Sequence, residues 1–288
     1  MDLSIIIVNY KTRELTSDCI DSVLESHIKP YTYEVIVVDN ASQDGSIEAI
    51  EAHFASEERV KIIKNTENLG FSKANNIGMR ESKGRYILLL NSDTIVELNT
   101  LKKSIEFLDT HRGVGALGCK VVLGNGKLDP ACKRSFPTPM NGIYHMLKLD
   151  QRFPKSQRFG EYNLTFVDED KTFSVDCVMG AYMMVPREVI DAVGMLDEDY
   201  FMYGEDIDWC YRIKQAGYPI IYYPEVRIFH YKKASGIGKR NPKTIEAFYD
   251  SMLIFYDKHY QGKYNGLAKA CVVYGTKLLK RRALAKNG

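Results

Sequence analysis

The sequence predicts an α/β protein with a mostly parallel sheet flanked by helices and a helical extension at its C-terminal end. Two observations predict this class. Short, nearly uninterrupted apolar segments alternate with helical patterns through the first ninety residues, as they do where parallel strands are covered on both faces. Beyond residue 244, apolar residues recur only at helical spacing.

The N-terminal elements follow one another in a regular β-α order. The apolar runs predict strands at residues 4–8, 34–39, 60–64 and 86–90. Helical patterns follow the first three strands, at residues 15–24, 46–54 and 71–82. Ligands of parallel α/β sheets bind beyond the carboxyl ends of the strands, so we expect a site where polar residues end these strands.

The second half of the chain is less regular. Residues 128–171 are rich in Pro, Gly, Arg and Tyr and have no clear period, so we expect an irregular segment that helps to shape the site. A helix at 186–193 and two strands, at 218–223 and 226–231, follow. We place a domain boundary between a main domain, residues 1–240, and an extension, residues 241–288.

The composition is that of a globular protein. Of 288 residues, 45% are hydrophobic and 26% charged, which excludes a disordered, collagenous or disulfide-scaffold chain. No apolar run reaches the roughly 18 residues of a membrane-spanning helix, and we expect no signal peptide. The six cysteines are scattered without a CxxC pair, so we expect reduced thiols in a cytoplasmic protein without structural zinc.

The net charge of +2 hides an uneven distribution, because residues 232–288 hold 13 lysines and arginines against 3 acids. No nucleic-acid motif accompanies this basic end, so an anionic surface or ligand is expected instead. The extension is therefore either a helix packed on the main domain with a solvated basic face, or an amphipathic helix on an anionic membrane. Its apolar residues at helical spacing are Ile245, Phe248, Met252, Phe255, Tyr256, Leu267, Cys271, Tyr274, Leu278 and Leu279.

Three polar residues end predicted strands. Asp93, within residues 91–94 (NSDT), suits a hard divalent cation, although Asp is also a preferred helix N-cap. Asp39 can form an Asx turn or accept a hydrogen bond from the imide N–H of uracil or thymine. His230 is either a core residue or, if it lies near Asp93, a second metal ligand. The residues alone leave each choice open.

An acidic segment, residues 205–208 (EDID), opens a predicted helix and precedes the only tryptophan of the chain, Trp209. Acids at a helix start complement the helix dipole. However, Glu205 and Trp209 lie four residues apart on one helix face, and an acid beside an aromatic ring suits a sugar site with a general base. This second interpretation is favoured.

Seven motifs stand in order between about residues 3 and 231. They are residues 4–10 (SIIIVNY), 34–45 (EVIVVDNASQDG), 65–76 (NTENLGFSKANN), 86–94 (YILLLNSDT), 176–184 (DCVMGAYMM), 201–212 (FMYGEDIDWCYR) and 229–230 (FH). As an ordered set they are specific. The chain resembles the inverting glycosyltransferases of family 2, which have the Rossmann-like GT-A fold, and is most similar to rhamnosyltransferases of bacterial cell-wall, capsule or O-antigen assembly.

The resemblance implies donor-binding and metal-binding residues. Those implied to contact the nucleotide-sugar are Asn9, Tyr10, Asp39, Asn68, Gly70, Asn75, Ser92 and Asp93. Asp93 takes the last place of the DxD-type motif of the family, where it would hold Mg²⁺ or Mn²⁺ together with His230. The first place is Asn91 rather than Asp.

The resemblance also implies the chemistry of transfer. Asp206 would be the catalytic base that activates the acceptor hydroxyl, and Glu205 and Trp209 would shape the acceptor site. One displacement inverts the anomeric centre, so no covalent nucleophile is required.

The expected donor is dTDP-L-rhamnose, and the expected acceptor is a glycan or a polyprenyl-diphosphate-linked oligosaccharide. The protein would then be cytoplasmic, or peripheral at the inner face of the plasma membrane. A UDP-hexose or UDP-N-acetylhexosamine donor is the alternative, and a catalytically silent carbohydrate-binding module is a second one. Residues 8–11 (VNYK) lack the Gly-rich loop that a sugar nucleotidyltransferase or a Rossmann dehydrogenase needs there.

Overall fold

The computed structural model describes residues 1–231, 242–264 and 266–287. The strands are β1 Leu3–Asn9, β2 Tyr33–Asp39, β3 Val60–Lys64, β4 Tyr86–Asn91, β5 Thr94–Val96, β6 Ala116–Leu123, β7 Phe173–Val175, β8 Tyr182–Pro186 and β9 Ile220–His230. The α-helices are α1 Arg13–Leu24, α2 Ser46–His53, α3 Gly70–Glu81, α4 Thr100–Thr110, α5 Pro139–Met146, α6 Leu149–Arg152, α7 Gln157–Gly160, α8 Arg187–Val193, α9 Glu205–Gln215, α10 Pro242–His259 and α11 Gly266–Asn287.

The strands form one sheet in the order β3-β2-β1-β4-β8-β6-β9-β5, and β7 also pairs with β9. From β3 to β4 all neighbours are parallel, which confirms the prediction for the N-terminal half. The other half is mixed, because β8 runs antiparallel to β4 and to β6 whereas β6 and β9 are parallel. β1, β2 and β4 are almost wholly buried, as their continuous apolar sequences require.

The register of the parallel strands brings the predicted polar residues to one edge. Asn9 pairs with Asp39 across β1 and β2, and Val8 pairs with Asn91 across β1 and β4. The carboxyl ends of these three strands are therefore level. Asp93 follows two residues after β4 and lies at the same edge.

The two strands predicted at 218–223 and 226–231 are a single strand, β9. Its pairing with β6 jumps from Cys119 opposite Tyr223 to Lys120 opposite Arg227, so the residues around Pro224 form a bulge. A bulge accommodates a proline that donates no ladder hydrogen bond. The prediction of two strands was wrong because it treated Pro224 as a strand end.

Residues 124–172, between β6 and β7, form what we call the insertion. It includes the segment predicted to be irregular and holds the short helices α5, α6 and α7. A capping box fixes the start of α5, in which Thr138 Oγ1 accepts from the Asn141 N–H and Asn141 Oδ1 accepts from the Thr138 N–H. Helices this short leave too few residues to show a period in the sequence.

The extension packs on the main domain through α10. An aromatic cluster joins it to the segment that includes α9, and its buried members are Tyr200, Tyr211, Phe255, Tyr256 and Tyr260. Lys258 of α10 forms ion pairs with Asp197 and Asp199 just before α9. For α10, the packed-helix interpretation is therefore confirmed. The predicted domain boundary after residue 240 and the side chain of Leu267 lie outside the described residues.

The second helix of the extension, α11, lies against α10, where Lys280 Nζ contacts Asp250 at 2.8 Å. α11 exposes Cys271, Tyr274 and Leu278. Across the three described ranges, no helix is long and apolar enough to cross a membrane.

If the extension belongs to the same folding unit as the sheet, its contacts contribute to global stability. Phe255→Ala removes a buried ring from the aromatic cluster, and we expect it to lower the free energy of unfolding by about 3 kcal/mol. Met252→Ala, at a position on the same helix that is 40% exposed, should change it by less than about 0.5 kcal/mol. Urea unfolding followed by circular dichroism measures both. Equal effects of the two substitutions would contradict the packing of α10 as an integral part of the fold.

Candidate active site

A hydrogen-bonded cluster holds Asp39 at the ends of β1 and β2. Asp39 Oδ1 accepts from Asn9 Nδ2 at 2.6 Å and from Ser42 Oγ at 2.5 Å, and Oδ2 accepts from the Ser42 N–H at 3.1 Å. Asn9 is fully buried, and its amide oxygen accepts from Thr12 and Thr16. In this structure Asn9 thus orients Asp39 rather than facing the open edge of the sheet.

The same network reaches residues 91–94, the predicted metal-binding motif. The hydroxyl of Thr12 lies 3.2 Å from that of Ser92, next to Asp93 in the chain. Tyr10 is 42% exposed at the start of this loop, with Lys11 Nζ 5.4 Å from its ring centroid. An exposed ring at the carboxyl edge of the sheet is placed to stack on a nucleobase.

The loop between β3 and α3 is tied to the end of β2 by Asn40. Asn40 Nδ2 donates to Asn68 Oδ1 at 2.9 Å, and Asn40 Oδ1 accepts from the Leu69 N–H at 3.0 Å. Asn75 is buried within α3 and donates to Phe71 O at 2.9 Å, so it supports the helix here. Asn68, which is implied to border the nucleotide, is thus hydrogen-bonded within the loop between β3 and α3. Asn75, which has the same implied role, is instead buried inside the protein.

Gly70 allows α3 to begin against the segment before α9. It has a φ of +83°, and a Cβ at this position would clash with the Phe201 backbone carbonyl and side chain. The Phe71 N–H donates to Phe201 O at 2.6 Å across this contact. Only glycine meets both requirements, and the contact sets the position of α9 relative to the nucleotide loop.

Asp93 and His230 meet at the edge of the sheet, as predicted. Antiparallel pairing of β5 and β9 places Thr94 opposite His230, which brings His230 Nε2 to 3.0 Å from Asp93 Oδ1. Both side chains are buried. Asp129 of the insertion lies on the other side of the ring, with Oδ2 3.8 Å from Nδ1.

This pair fits a shared divalent cation. Two adjacent ligands of an octahedral ion with bonds of about 2.1 Å lie about 3 Å apart, close to the separation of His230 Nε2 and Asp93 Oδ1. Asp129 faces the opposite ring nitrogen and is placed as an orienting neighbour of the histidine. Among the described residues no three His, Cys, Asp or Glu side chains converge on one point, so substrate phosphates and water would supply the other ligands.

Asn91 occupies the first position of the motif at the end of β4. Its side-chain oxygen is buried and has no hydrogen-bond partner within the described part of the chain. A buried acceptor of this kind is costly unless a ligand or a water satisfies it. The position therefore fits a donor group of a bound nucleotide.

Asp206 lies in the first turn of α9, beside an arginine that the sequence interpretation missed. Arg134 Nη2 is 2.7 Å from Asp206 Oδ2, and the Gly180 N–H donates to the same oxygen at 3.3 Å. The next residue, Ala181, accepts from the Asn91 N–H, so Asp206 and the end of β4 are bridged by two successive residues. The structure thus brings the predicted base to the edge that holds Asp93.

Glu205, the preceding residue, is buried, and its Oε2 has no hydrogen-bond partner in the described ranges. Burial, together with the neighbouring charge of Asp206, raises the pKa of Glu205 to about 8. Glu205 is therefore a neutral carboxylic acid at pH 7. The nearby Arg134 makes its hydrogen bond with Asp206.

Asp208, the third acid of α9, has a structural role. It is fully buried, with Oδ2 2.8 Å from Arg212 Nε and Oδ1 2.6 Å from His259 Nε2 of α10. Burial alone would raise the pKa of Asp208, but its hydrogen bonds and the charges of its two partners hold it below the ordinary value.

Trp209 does not line the site, and its predicted role was wrong. The indole is fully buried in the main core and donates from Nε1 to Gly194 O at 2.8 Å. Glu205 and Trp209 do share a helix face, as their spacing indicated, but that face is turned toward the interior. Spacing along a helix shows which residues share a face and not which face is exposed.

Arg134 gave no recognisable signal in the sequence because it lies in the aperiodic insertion, 72 residues before its partner. The insertion returns it to the sheet through paired backbone hydrogen bonds between Arg134 and Cys177. The expectation that this segment shapes the site has support from that one contact.

The carboxylate-histidine pair, the polar loop before α3 and the acidic start of α9 lie on an α/β sheet whose class the comparison with known families shows. Residues 4–194 match the family "Glycosyl transferase family 2", so the chain belongs to this family. The predicted family and the GT-A fold are thereby confirmed.

Two relatives of the chain are named as glycosyltransferases. The chain is 31% identical to the low-salt glycan biosynthesis hexosyltransferase Agl10 of Haloferax volcanii, over 74% of this chain and 62% of that one. It is 26% identical to the N-acetylglucosaminyl-diphospho-decaprenol L-rhamnosyltransferase of Mycobacterium tuberculosis, over 78% of this chain and 75% of that one. The chain spans less than two thirds of the length of two curated relatives that it matches.

A solved structure shares the fold. The mannosyltransferase PcManGT of Pyrobaculum calidifontis, in complex with GDP-Man and Mn²⁺, superposes with a TM-score of 0.64 at 19% identity. The match covers 98% of this chain and 72% of that one. At this identity the likeness shows the architecture alone.

The raised pKa of Glu205 predicts a pH-dependent stability. Between about pH 4.5 and pH 8 the unfolded chain loses the Glu205 proton while the folded chain keeps it, so the folded state loses stability as pH rises through that window. Glu205→Gln removes this dependence. The stability of the variant relative to wild type should increase by up to about 1.4 kcal/mol per pH unit between pH 5 and 8. Urea unfolding of both proteins at several pH values measures it, and a constant difference would show that Glu205 ionises normally.

Proposed function

We propose that the protein is an inverting, metal-dependent glycosyltransferase that moves a sugar from a nucleoside diphosphate to a hydroxyl of a glycan or lipid-linked glycan. The observation that carries this proposal is the placement of Asp206 and the Asp93–His230 pair at one edge of a family 2 fold. Two successive backbone contacts, through Gly180 and Ala181, connect Asp206 to Asn91, which stands two residues before Asp93.

In this proposal Asp93 and His230 hold Mg²⁺ or Mn²⁺. The ion would neutralise charge on the departing nucleoside diphosphate. The protein supplies an imidazole whose other nitrogen lies 3.8 Å from Asp129 Oδ2, where the carboxylate would orient the ring. The Asp39 cluster and the exposed Tyr10 would receive the base and ribose, and the loop with Asn68 would border them.

Asp206 would remove the proton of the attacking hydroxyl. In the structure one carboxylate oxygen faces Arg134 and the other accepts from the Ile207 N–H at 2.8 Å. These contacts fix the carboxylate plane before an acceptor arrives. The preceding residue, Glu205, is neutral, so it adds no second negative charge that would repel the Asp206 carboxylate. The anomeric carbon passes through an oxocarbenium-like state, as in glycoside hydrolysis.

For the donor we propose dTDP-L-rhamnose. The support is the motif resemblance and the name of the Mycobacterium tuberculosis relative, an L-rhamnosyltransferase. A UDP-hexose or UDP-N-acetylhexosamine is the alternative, because the Asp39 carboxylate can accept equally from a uracil or a thymine imide.

For the acceptor we propose a glycan or a polyprenyl-diphosphate-linked oligosaccharide, which places the protein in surface polysaccharide assembly. The same relative is named for an N-acetylglucosaminyl-diphospho-decaprenol substrate. We propose a cytoplasmic protein that meets its acceptor at the membrane. The predicted alternative, a membrane contact through the basic extension, is restricted to α11, since α10 packs on the main domain.

The base assignment predicts a large and selective loss of rate. Asp206→Asn should lower kcat by about 10²–10⁴-fold because it removes general base catalysis, while donor affinity stays within a few-fold. Asp199→Asn, at an exposed acid shortly before α9, should leave kcat unchanged. Nucleoside diphosphate release from dTDP-rhamnose, with an N-acetylglucosaminyl-diphospho-lipid as acceptor, gives the rate. Residual turnover above a tenth of wild type would move the base to Glu205.

The metal assignment predicts a change in cation response. Asp93→Ala and His230→Ala should each abolish the gain in nucleotide affinity that Mn²⁺ gives wild type, because each removes one of the two protein ligands. Asp44→Ala, which changes an acid after β2 that is outside the pair, should retain that gain. Calorimetric titration with and without Mn²⁺ measures the effect. An undiminished Mn²⁺ response in both ligand variants would contradict the assignment.

A further inference from the structure

The insertion exposes apolar side chains that its own fold does not cover. Three of them share one helix face, because they are spaced i, i+3 and i+7: Met140 and Ile143 on α5, and Leu147 just after it. Their exposed fractions are 53%, 39% and 62%. Phe153, after α6, is 46% exposed. Its ring contacts Phe159, 5.5 Å away between centroids. We call these four exposed residues the apolar face of the insertion.

The packing of the insertion holds these side chains outward. Its buried polar core consists of Asp150, whose Oδ2 lies 2.7 Å from His145 Nδ1 and accepts from Asn163 Nδ2 at 3.0 Å. The buried Lys133 donates to the carbonyl of Leu164 at 2.8 Å. This interior is polar and hydrogen-bonded, so the apolar side chains cannot turn inward without displacing it.

The charges around the apolar face are mostly cationic, although Glu161, directly after α7, is an exposed acid. Residues 139–160 contain four cationic side chains, Lys148, Arg152, Lys155 and Arg158, all exposed. The only acid in that range, Asp150, is buried and paired. An exposed apolar stripe among basic residues is the pattern of a segment that lies in the headgroup region of an anionic bilayer.

Residues 134–141 link the apolar face to Asp206. Asn141, in the first turn of α5, donates from Nδ2 to Phe136 O at 2.9 Å. Phe136 stands two residues after Arg134, which contacts Asp206. A surface bound by α5 would therefore lie beside the proposed base, where a lipid-linked acceptor must arrive.

We propose that the apolar face of the insertion, with its four cations, docks on an anionic lipid bilayer and so presents the active site to membrane-held acceptors. The occupant is a lipid surface, because an excess of exposed cations beside an exposed apolar face complements an anionic bilayer. The identity of the acceptor rests on the proposed function, whereas bilayer binding itself needs neither donor nor acceptor.

The test is sedimentation of the purified full chain with vesicles of phosphatidylcholine, with and without phosphatidylglycerol. Wild type should bind the anionic vesicles and release them at high salt. The pair Ile143→Glu and Leu147→Glu should lower the partition coefficient by at least about tenfold, and Arg152→Gln with Lys155→Gln by about tenfold. All four positions are exposed, so the variants should keep the wild-type circular dichroism and nucleotide affinity.

The matched control lies on the extension, where Tyr274→Glu and Leu278→Glu change the exposed apolar residues of α11. These variants should bind vesicles like wild type. If they lose binding while the insertion variants retain it, α11 is the membrane surface and the proposal is wrong. Absence of binding by wild type to anionic vesicles would also overturn it, and would leave a protein partner for this face. Nucleotide binding, measured on the same samples, separates either failure from a failure of the proposed function.

Discussion

Three carboxyl groups lie within four residues at the start of α9, mostly removed from water, and the structure must compensate each of them. Glu205 is compensated by protonation, since burial raises its pKa to about 8. Asp206 faces Arg134, and Asp208 is bonded to Arg212 and His259. The helix dipole favours acids at this end, but a dipole alone does not offset the burial of three charges.

The compensating groups come from distant parts of the chain, and this explains why those parts are arranged around α9. The insertion brings Arg134 to the site, and the extension brings His259 together with the aromatic cluster. The Gly70 loop and Ser251 of α10 also contact the turn before α9, at Phe201 and Gly204. α9 is thus held from several sides, and of its three acids only Asp206 is proposed to take part in the chemistry.

The sequence predicted the N-terminal half of the fold because buried parallel strands are continuous apolar runs that periodicity detects directly. It also predicted the edge at which Asp39 and Asp93 lie, and the motif resemblance predicted the approach of His230 to Asp93. It could not locate Arg134, because an ion pair across 72 residues has no local pattern. Trp209 was misplaced since helical spacing does not specify the buried face, and β9 was divided because a bulge and a strand end look alike around Pro224.

The proposed activity requires this sheet edge to bind a nucleoside diphosphate through a divalent cation. Binding can be measured by titration of the purified wild-type protein with dTDP, UDP and GDP, first with Mn²⁺ and then with EDTA. We expect dTDP to bind in preference to the other two, with an affinity that falls by at least about tenfold when the metal is removed. A preference for UDP would retain the metal site and change the donor sugar to a hexose or N-acetylhexosamine. Failure of all three nucleotides to bind, with or without Mn²⁺, would contradict the proposed activity.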